Sequence, residues 1–289
     1  MSEKKFGIIG GSGLYAVDGL SQVEKITVDT PFGPPSDPFV TGVLEKGVRL
    51  YFLPRHGIGH RYLPGEINYR ANLFGFRKLG VEWVLSVSAV GSMKEEIHPG
   101  DMVVPDQFID RTRGRASTFF GDGIVAHVSF GDPVCPHLRK SVVESSQRIG
   151  AKTHDGGTYI CMEGPQFSTR GESLMYRSFG VAVIGMTNIP EAKLAREAEL
   201  CYATLALATD YDCWHASEEA VAADAVGKVM QKNVATAQKI LLDVARHLPE
   251  RTCPCKDTLK SAIVTDPKAI PPATRQKLKL LLDGRLPNS

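Results

Sequence analysis

The chain has 289 residues, 43% of them hydrophobic and 23% charged. That balance buries a substantial core and excludes bulk disorder. The formal net charge of +2 is too small to argue for a nucleic-acid groove, and the length suits a single α/β domain.

In chain order, the first expected element is a buried strand over Phe6–Ile9, running into Gly10-Gly11-Ser12-Gly13. A glycine turn after a buried strand lets backbone N–H groups approach an anion, and Ser12 adds a hydroxyl. A loose dinucleotide fingerprint, Gly11-x-Gly13-x-x-Ala16, is disfavoured because the acid near the right spacing, Asp29, lies in a proline-rich loop. The start of the chain carries only this short apolar run, so no signal peptide is expected. No stretch approaches the roughly 18 apolar residues of a membrane span.

A second apolar strand, Val48–Leu53, leads to Pro54-Arg55-His56-Gly57, with His60 beyond. Arginine at a strand end suits anion recognition, although a solvated Arg and a surface His fit the same letters. Metal binding by His56 and His60 would need a helix, and the glycines between them argue against one. A helix over 66–79 ending at Gly80 follows from its apolar spacing. The next buried strand, Val84–Val90, becomes small and hydroxyl-bearing at Ser88-Ala89-Val90-Gly91-Ser92, where a ligand or a closely packed helix would fit.

Helices are expected over 138–149 before Gly150, over 191–200 after Pro190, and over 225–247 behind an Asp224 cap, the last stopping at Pro249. Further buried strands are Val181–Met186 and Ala203–Thr209. The last closes on Asp210-Tyr211-Asp212, two carboxylates that share a side if the strand continues. Crowding and burial would raise one pKa and leave a neutral acid beside an acceptor, whereas two solvated caps are the plain alternative. Strands alternating with helices give the fold class: α/β, a single domain with a central mixed, mostly parallel sheet flanked by helices. Cys135, Cys161, Cys201 and Cys213 sit in apolar surroundings and are expected to be mostly buried reduced thiols.

The motifs Gly10–Gly13, Pro54–Gly57, Ser88–Ser92, Glu163–Arg170, Gly185–Glu191 and Ala208–Trp214 occur in one order, and together the chain resembles the trimeric purine nucleoside phosphorylases. Within that family it is most similar to the members that act on 5′-methylthioadenosine. The resemblance runs from Phe6 to about Val264. This sets the expected domains: a catalytic domain over 1–264 and a C-terminal extension over 265–289 with a basic amphipathic stretch, Arg275–Leu282.

The resemblance implies phosphorolysis of methylthioadenosine, with phosphate as co-substrate and neither cofactor nor metal. It implies a phosphate cradle of Ser12, Arg55, His56, Ser88, Ala89 and Thr187. Met186 would lie on the sugar and Phe167 on the base. Asp210 would serve purine N7, Asp212 would accept from the 6-amino group, and Ser168 would orient the aspartate. The 5′-group pocket would comprise His60, His127, Ala223, Val226 and Gly227, with His127 supplied by a neighbouring subunit. Ala223 and Gly227 are smaller than the residues usual there, which implies a wider slot. Gln166 and Gly171 also depart from the pattern.

A cytoplasmic homotrimer or dimer of trimers is implied, with no nucleic-acid or membrane partner. Carboxylates favour adenine over 6-oxopurines, because an ionised carboxylate only accepts hydrogen bonds. Rival readings are another base preference (adenosine, methylthioinosine, or inosine and guanosine), a hydrolase that would not need the anion cradle, and a nucleoside sensor. Cys253-Pro-Cys255 is similar to an element that is a disulfide in some thermophilic relatives; here an exposed reduced pair is expected, and a metal site with His247 lacks a fourth ligand.

Overall fold

The computed structural model describes residues 3–14, 19–44, 47–215 and 223–286. Eleven strands form one sheet: β1 (Lys4–Gly10), β2 (Ser21–Ile26), β3 (Phe39–Leu44), β4 (Val48–Pro54), β5 (Trp83–Ser92), β6 (Met102–Val104), β7 (Gln107–Arg111), β8 (Thr153–Asp155), β9 (Thr158–Met162), β10 (Val183–Gly185) and β11 (Cys201–Asp210). The main path runs β2-β3-β4-β1-β5-β10-β9-β7, and β11 branches from β5 toward β6 and β8. β1, β4, β5 and β11 are parallel neighbours, whereas β2, β3, β10 and β6 add antiparallel pairs. The sheet is therefore mixed and mostly parallel, as the alternation of elements implied.

β1, β5 and β11 are buried along nearly their whole length because helices cover both faces. The helices are α1 (Tyr69–Lys78), α2 (Pro136–Ile149), α3 (Arg170–Ser178), α4 (Asn188–Glu197), α5 (Ala223–Arg246), α6 (Pro272–Lys277) and α7 (Lys279–Leu282). One apolar cluster joins Ile9, Leu53, Phe76, Val84 and Leu200 to α1 and α4. A second joins Phe6, Leu85 and Leu205 to α2 and α5.

Element ends carry local chemistry. α1 starts later than its apolar spacing suggested because Asn68 Oδ1 accepts from the Ala71 amide at 3.1 Å and caps it there. α2 ends on left-handed Gly150, φ 73°. α3, which periodicity did not pick out, is set by a reciprocal capping box between Thr169 and Glu172. α4 begins at Asn188, earlier than expected, but Ile189 is non-helical and separates Asn188 from the regular turns. α5 includes Asp224 rather than following it.

The tail forms two short helices instead of one, since α6 stops at Leu278 and α7 restarts at once. It is docked: Leu278, Leu281 and Leu282 are buried in the first cluster, and Arg285 pairs with Glu199 at 2.8 Å. Among the described residues no helix is long and apolar enough to cross a membrane. The exposed Cys253–Cys255 pair expected from sequence is not found. Both residues are buried, packed in the second cluster with Cys135 and Cys201.

Candidate active site

A cavity of about 690 Å³ opens at the C-terminal ends of β1, β4, β5 and β11, the edge where open α/β sheets gather ligands. Of the residues singled out in the sequence, Arg55, His56, His60, Ser88, Ala89, Phe167, Met186, Thr187, Asp210 and Asp212 line it. Gly11 and Gly13, on either side of Ser12, also line it. The side chain of Ser12 lies outside the described residues, as do those of Ala223, Val226 and Gly227 on the first turns of α5. One turn further along α5, Met230, Gln231 and Val234 line the wall. These were not anticipated, although they continue the helix that carries the expected 5′-group residues.

At one part of the cavity, parallel pairing sets Gly10 beside Pro54 at the strand ends, and the Arg55 amide continues it by donating to the Gly10 carbonyl at 3.0 Å. Arg55 is buried, with its guanidinium almost fully engaged. Nε and Nη2 grip the Glu191 carboxylate at 2.8 and 3.1 Å, Nη1 donates to the Val87 carbonyl at 3.0 Å, and Nη2 donates to Ser86 Oγ at 2.6 Å. Burial opposes the charge, but the Glu191 carboxylate outweighs it and holds the Arg55 pKa above its ordinary value.

Glu191 was visible only as the last letter of a motif. It is fully buried and also accepts from Tyr202 Oη at 2.9 Å. Asn188 extends the network, donating to Tyr202 Oη at 3.0 Å and to Thr204, while Ser88 Oγ meets Asn188 Oδ1 at 3.1 Å.

His56 Nδ1 faces the Tyr62 carbonyl at 2.9 Å, which places the proton on Nδ1 in the neutral ring. Burial, with the nearby Arg55 charge, pushes its pKa down to about 4. The His60 ring stacks on it at 4.1 Å centroid to centroid. Thr187 precedes α4 and spends no side-chain hydrogen bond on capping it, so its hydroxyl is not tied up in the helix end.

The two aspartates share the cavity, but not because the strand continues. β11 ends at Asp210, after a register shift between Ala208 and Asp210 against β5. Asp212 follows in a turn with left-handed φ of 51°. Thr209 Oγ1 donates to Asp210 Oδ2 at 2.7 Å and the Asp212 amide to Oδ1 at 2.8 Å. Burial still raises the Asp210 pKa above its ordinary value, with a smaller push from Asp212. Asp212 Oδ2 is buried without a hydrogen-bond donor, an arrangement that costs free energy unless something else donates to it.

Gly91 makes this geometry possible. A Cβ there would come within 2.9 Å of Asp210 Oδ1 and 3.0 Å of Ile184. Its role was legible only as a small residue at the strand end.

Arg115 is the residue that sequence reasoning missed most clearly. Its guanidinium donates to Met186 O at 2.7 Å, Ile189 O at 2.9 Å, Glu163 O at 2.7 Å and the Glu163 carboxylate at 3.0 Å. One side chain from a polar loop thus fixes the segments that carry Met186 and the Glu163 motif. Gly164 lets these segments touch, since a Cβ there would lie 2.5 Å from Met186 Sδ.

Two expected residues are not brought to the site. Ser168 Oγ faces Met162 Sδ at 3.6 Å and reaches neither aspartate. His127 is exposed and does not line the cavity of its own chain; its amide pairs with the Ala262 carbonyl at 2.8 Å.

The chain belongs to the phosphorylase superfamily, whose sequence profile matches residues 5–246. It is 61% identical to the S-methyl-5′-thioadenosine phosphorylase of Geobacter sulfurreducens, covering 97% of this chain and 98% of that one. It is 55% identical to the enzyme of that name from Koribacter versatilis over 97% of this chain and 96% of the relative.

A crystal structure of a methylthioadenosine phosphorylase from an Antarctic soil metagenomic library superposes with a TM-score of 0.91 at 46% identity, covering 98% of this chain and all of the other. The Schistosoma mansoni methylthioadenosine phosphorylase in complex with adenine gives a TM-score of 0.81 at 37% identity, over 85% of this chain and 92% of that one. A match over 97% of the chain extends past Val264, so the expectation that the family likeness stops there is corrected: the tail is shared with relatives.

Proposed function

We propose that the protein catalyses phosphorolysis of 5′-methylthioadenosine to adenine and 5-methylthioribose 1-phosphate, a pentosyl transfer. The observation that carries this reading is the carboxylate pair. One cavity holds Asp210, whose pKa burial raises, and Asp212 Oδ2, buried and in need of a donor. An exocyclic 6-amino group supplies that donor; a 6-oxo group does not.

In the reaction a phosphate oxygen forms a bond to C1′ and the C1′–N9 bond breaks. The electron pair passes into the purine, and N7 receives a proton from Asp210, which is later reprotonated by solvent. Charge developing on the base is met by this acid, and positive charge on the ribosyl carbon by the phosphate held beside it. Ser12, Arg55, His56, Ser88, the Ala89 amide and Thr187 form the cradle in this reading, with Met186 on the sugar and Phe167 on the base. His60, Ala223, Val226 and Gly227 border the 5′ group in this reading, joined by Met230, Gln231 and Val234, of which the methionine and valine offer apolar contact to a thioether.

The catalytic unit is residues 1–264, with 265–289 as an extension. An exposed His127 fits a homotrimer in which it completes a neighbour's 5′ pocket. Phosphate is a substrate, and the chemistry needs no cofactor. A cytoplasmic location belongs to the same reading.

The test is purine release with and without phosphate, offering methylthioadenosine, adenosine, methylthioinosine and inosine at equal concentration. Phosphate-dependent adenine release, fastest with methylthioadenosine, is expected. Hypoxanthine release as the best activity would overturn the base assignment, and release without phosphate would overturn phosphorolysis.

A further inference from the structure

The end of β11 remote from the cavity holds a second constellation. Cys135 stands just before α2, Cys201 opens β11, and Cys253 and Cys255 lie on the segment that follows α5. All four are buried, and their sulfurs all lie within 4.8 Å of one another; Cys201 and Cys253 are 3.2 Å apart. We propose that these four cysteines form a tetrathiolate site for one divalent metal ion of the zinc type.

The geometry argues for a metal over crosslinks. A tetrahedron with Zn–S bonds of about 2.3 Å has sulfur-to-sulfur edges of about 3.8 Å, near the separations here. Two disulfides would require close approach only within each pair, whereas here each thiol is near the other three. Two of the four ligands are held by backbone bonds to the sheet and its approach. The Cys135 amide donates to the Tyr202 carbonyl and the Cys201 amide to the Glu82 carbonyl, both at 2.8 Å.

Four thiolates around a divalent ion leave a net charge of −2, and Arg251 lies beside them. It precedes Cys253 by two residues, and its Nε is buried without a hydrogen-bond partner.

Binding releases four protons, one from each thiol, and involves no oxidation. His247, which the sequence suggested as a ligand, bonds instead with the Asp243 carbonyl through Nδ1 at 2.8 Å. Cys135 and Cys201 supply what was missing. Because the cluster is enclosed, the metal enters as the 253–255 segment docks, tying the chain after α5 to α2 and the sheet.

The full chain is to be purified under reducing conditions with zinc supplied, then assayed for metal by elemental analysis and for free thiols after denaturation. About one zinc per chain and no disulfide are expected. Replacement of zinc by Co(II) should give the thiolate-to-metal charge-transfer and visible bands of a tetrahedral tetrathiolate. The Cys253→Ser/Cys255→Ser double variant should lose the metal and unfold at a lower temperature. If it fails to fold, mercurial titration of the wild-type thiols should release the zinc in step with their modification. Wild-type protein that holds no stoichiometric metal overturns the proposal, whether its four thiols are free or its mass is lower by the hydrogens lost to two disulfides.

Discussion

The two ends of β11 differ in almost every respect. The strand starts at Cys201, in a buried cluster of sulfurs, and ends at Asp210, in an open cavity of oxygens and rings. Nine residue steps, about 30 Å of extended chain, separate them. The closed end is built from groups whose neighbours satisfy or enclose them. The open end keeps a carboxyl of raised pKa and an acceptor without a donor. One strand therefore carries both an anchoring end, which offers sulfurs to the proposed metal, and a reactive end, which offers carboxylates to a ligand.

The sharpest way to break that contrast is Asp210→Asn. It should lower kcat for methylthioadenosine by roughly 100- to 10,000-fold, the range for loss of a general acid, with little change in Tm. Steady-state kinetics and thermal melts measure the two sides; full turnover in the variant would remove Asp210 from the chemistry. The wild-type pH profile should agree. Because burial raises the Asp210 pKa, its acid form persists to higher pH than in an ordinary aspartic acid. The kcat/KM value should then fall as pH rises through that pKa, and the limb should vanish in the Asn variant.

Arg55→Ala tests whether the open end can fail structurally. It leaves Glu191 buried and unpaired, which should cost about 3–5 kcal/mol in denaturant titrations as well as raise the phosphate KM. Adding Glu191→Leu should restore much of the stability but not the KM, separating the two roles.

Gly91→Ala should cost about 1–3 kcal/mol through crowding and reduce kcat/KM by roughly 10-fold, because its Cβ would displace Asp210 or Ile184. Unchanged kinetics would show that the carboxylate pair tolerates movement.

The smallest effect is a slope. Burial raises the Glu197 pKa to about 7 despite bonds from Thr118 Oγ1 and the Phe119 amide, both at 2.7 Å. Folded protein therefore holds a proton there that the unfolded chain releases near its ordinary value of 4.5. The stability this contributes is complete below that value and is lost as pH rises through about 7. Glu197→Gln should flatten this part of a Tm–pH curve. His56, lowered to about 4, acts oppositely, with stability lost as pH falls from 6.5 toward 4.

What could be read from the sequence follows from the same contrast. Buried strands announce themselves as short apolar runs, and the residues that close them, Arg55, Ser88 and Asp210, fall where a parallel sheet collects ligands. Glu191 and Arg115 act through partners far away in the chain, and neither the motif that ends at Glu191 nor the arginine-rich loop 110–122 shows which partners those are. The cysteine cluster was hidden for the same reason. Only the sheet brings Cys135 and Cys201 to Cys253 and Cys255, and a reading of the tail by itself made an exposed pair of them. Ser168 shows the reverse error: the motif that holds it was read, but its hydroxyl faces a methionine sulfur.

The Arg55–Glu191 pair bears on how an anion is released as well as how it is held. Glu191 offsets the charge of Arg55, and His56 is neutral at pH 7. The proposed cradle thus presents oriented N–H and O–H dipoles with little surplus positive charge. Attraction of that kind acts at short range and is weakly sensitive to ionic strength. It suits a catalyst that must admit inorganic phosphate and, in every cycle, let a phosphorylated sugar go.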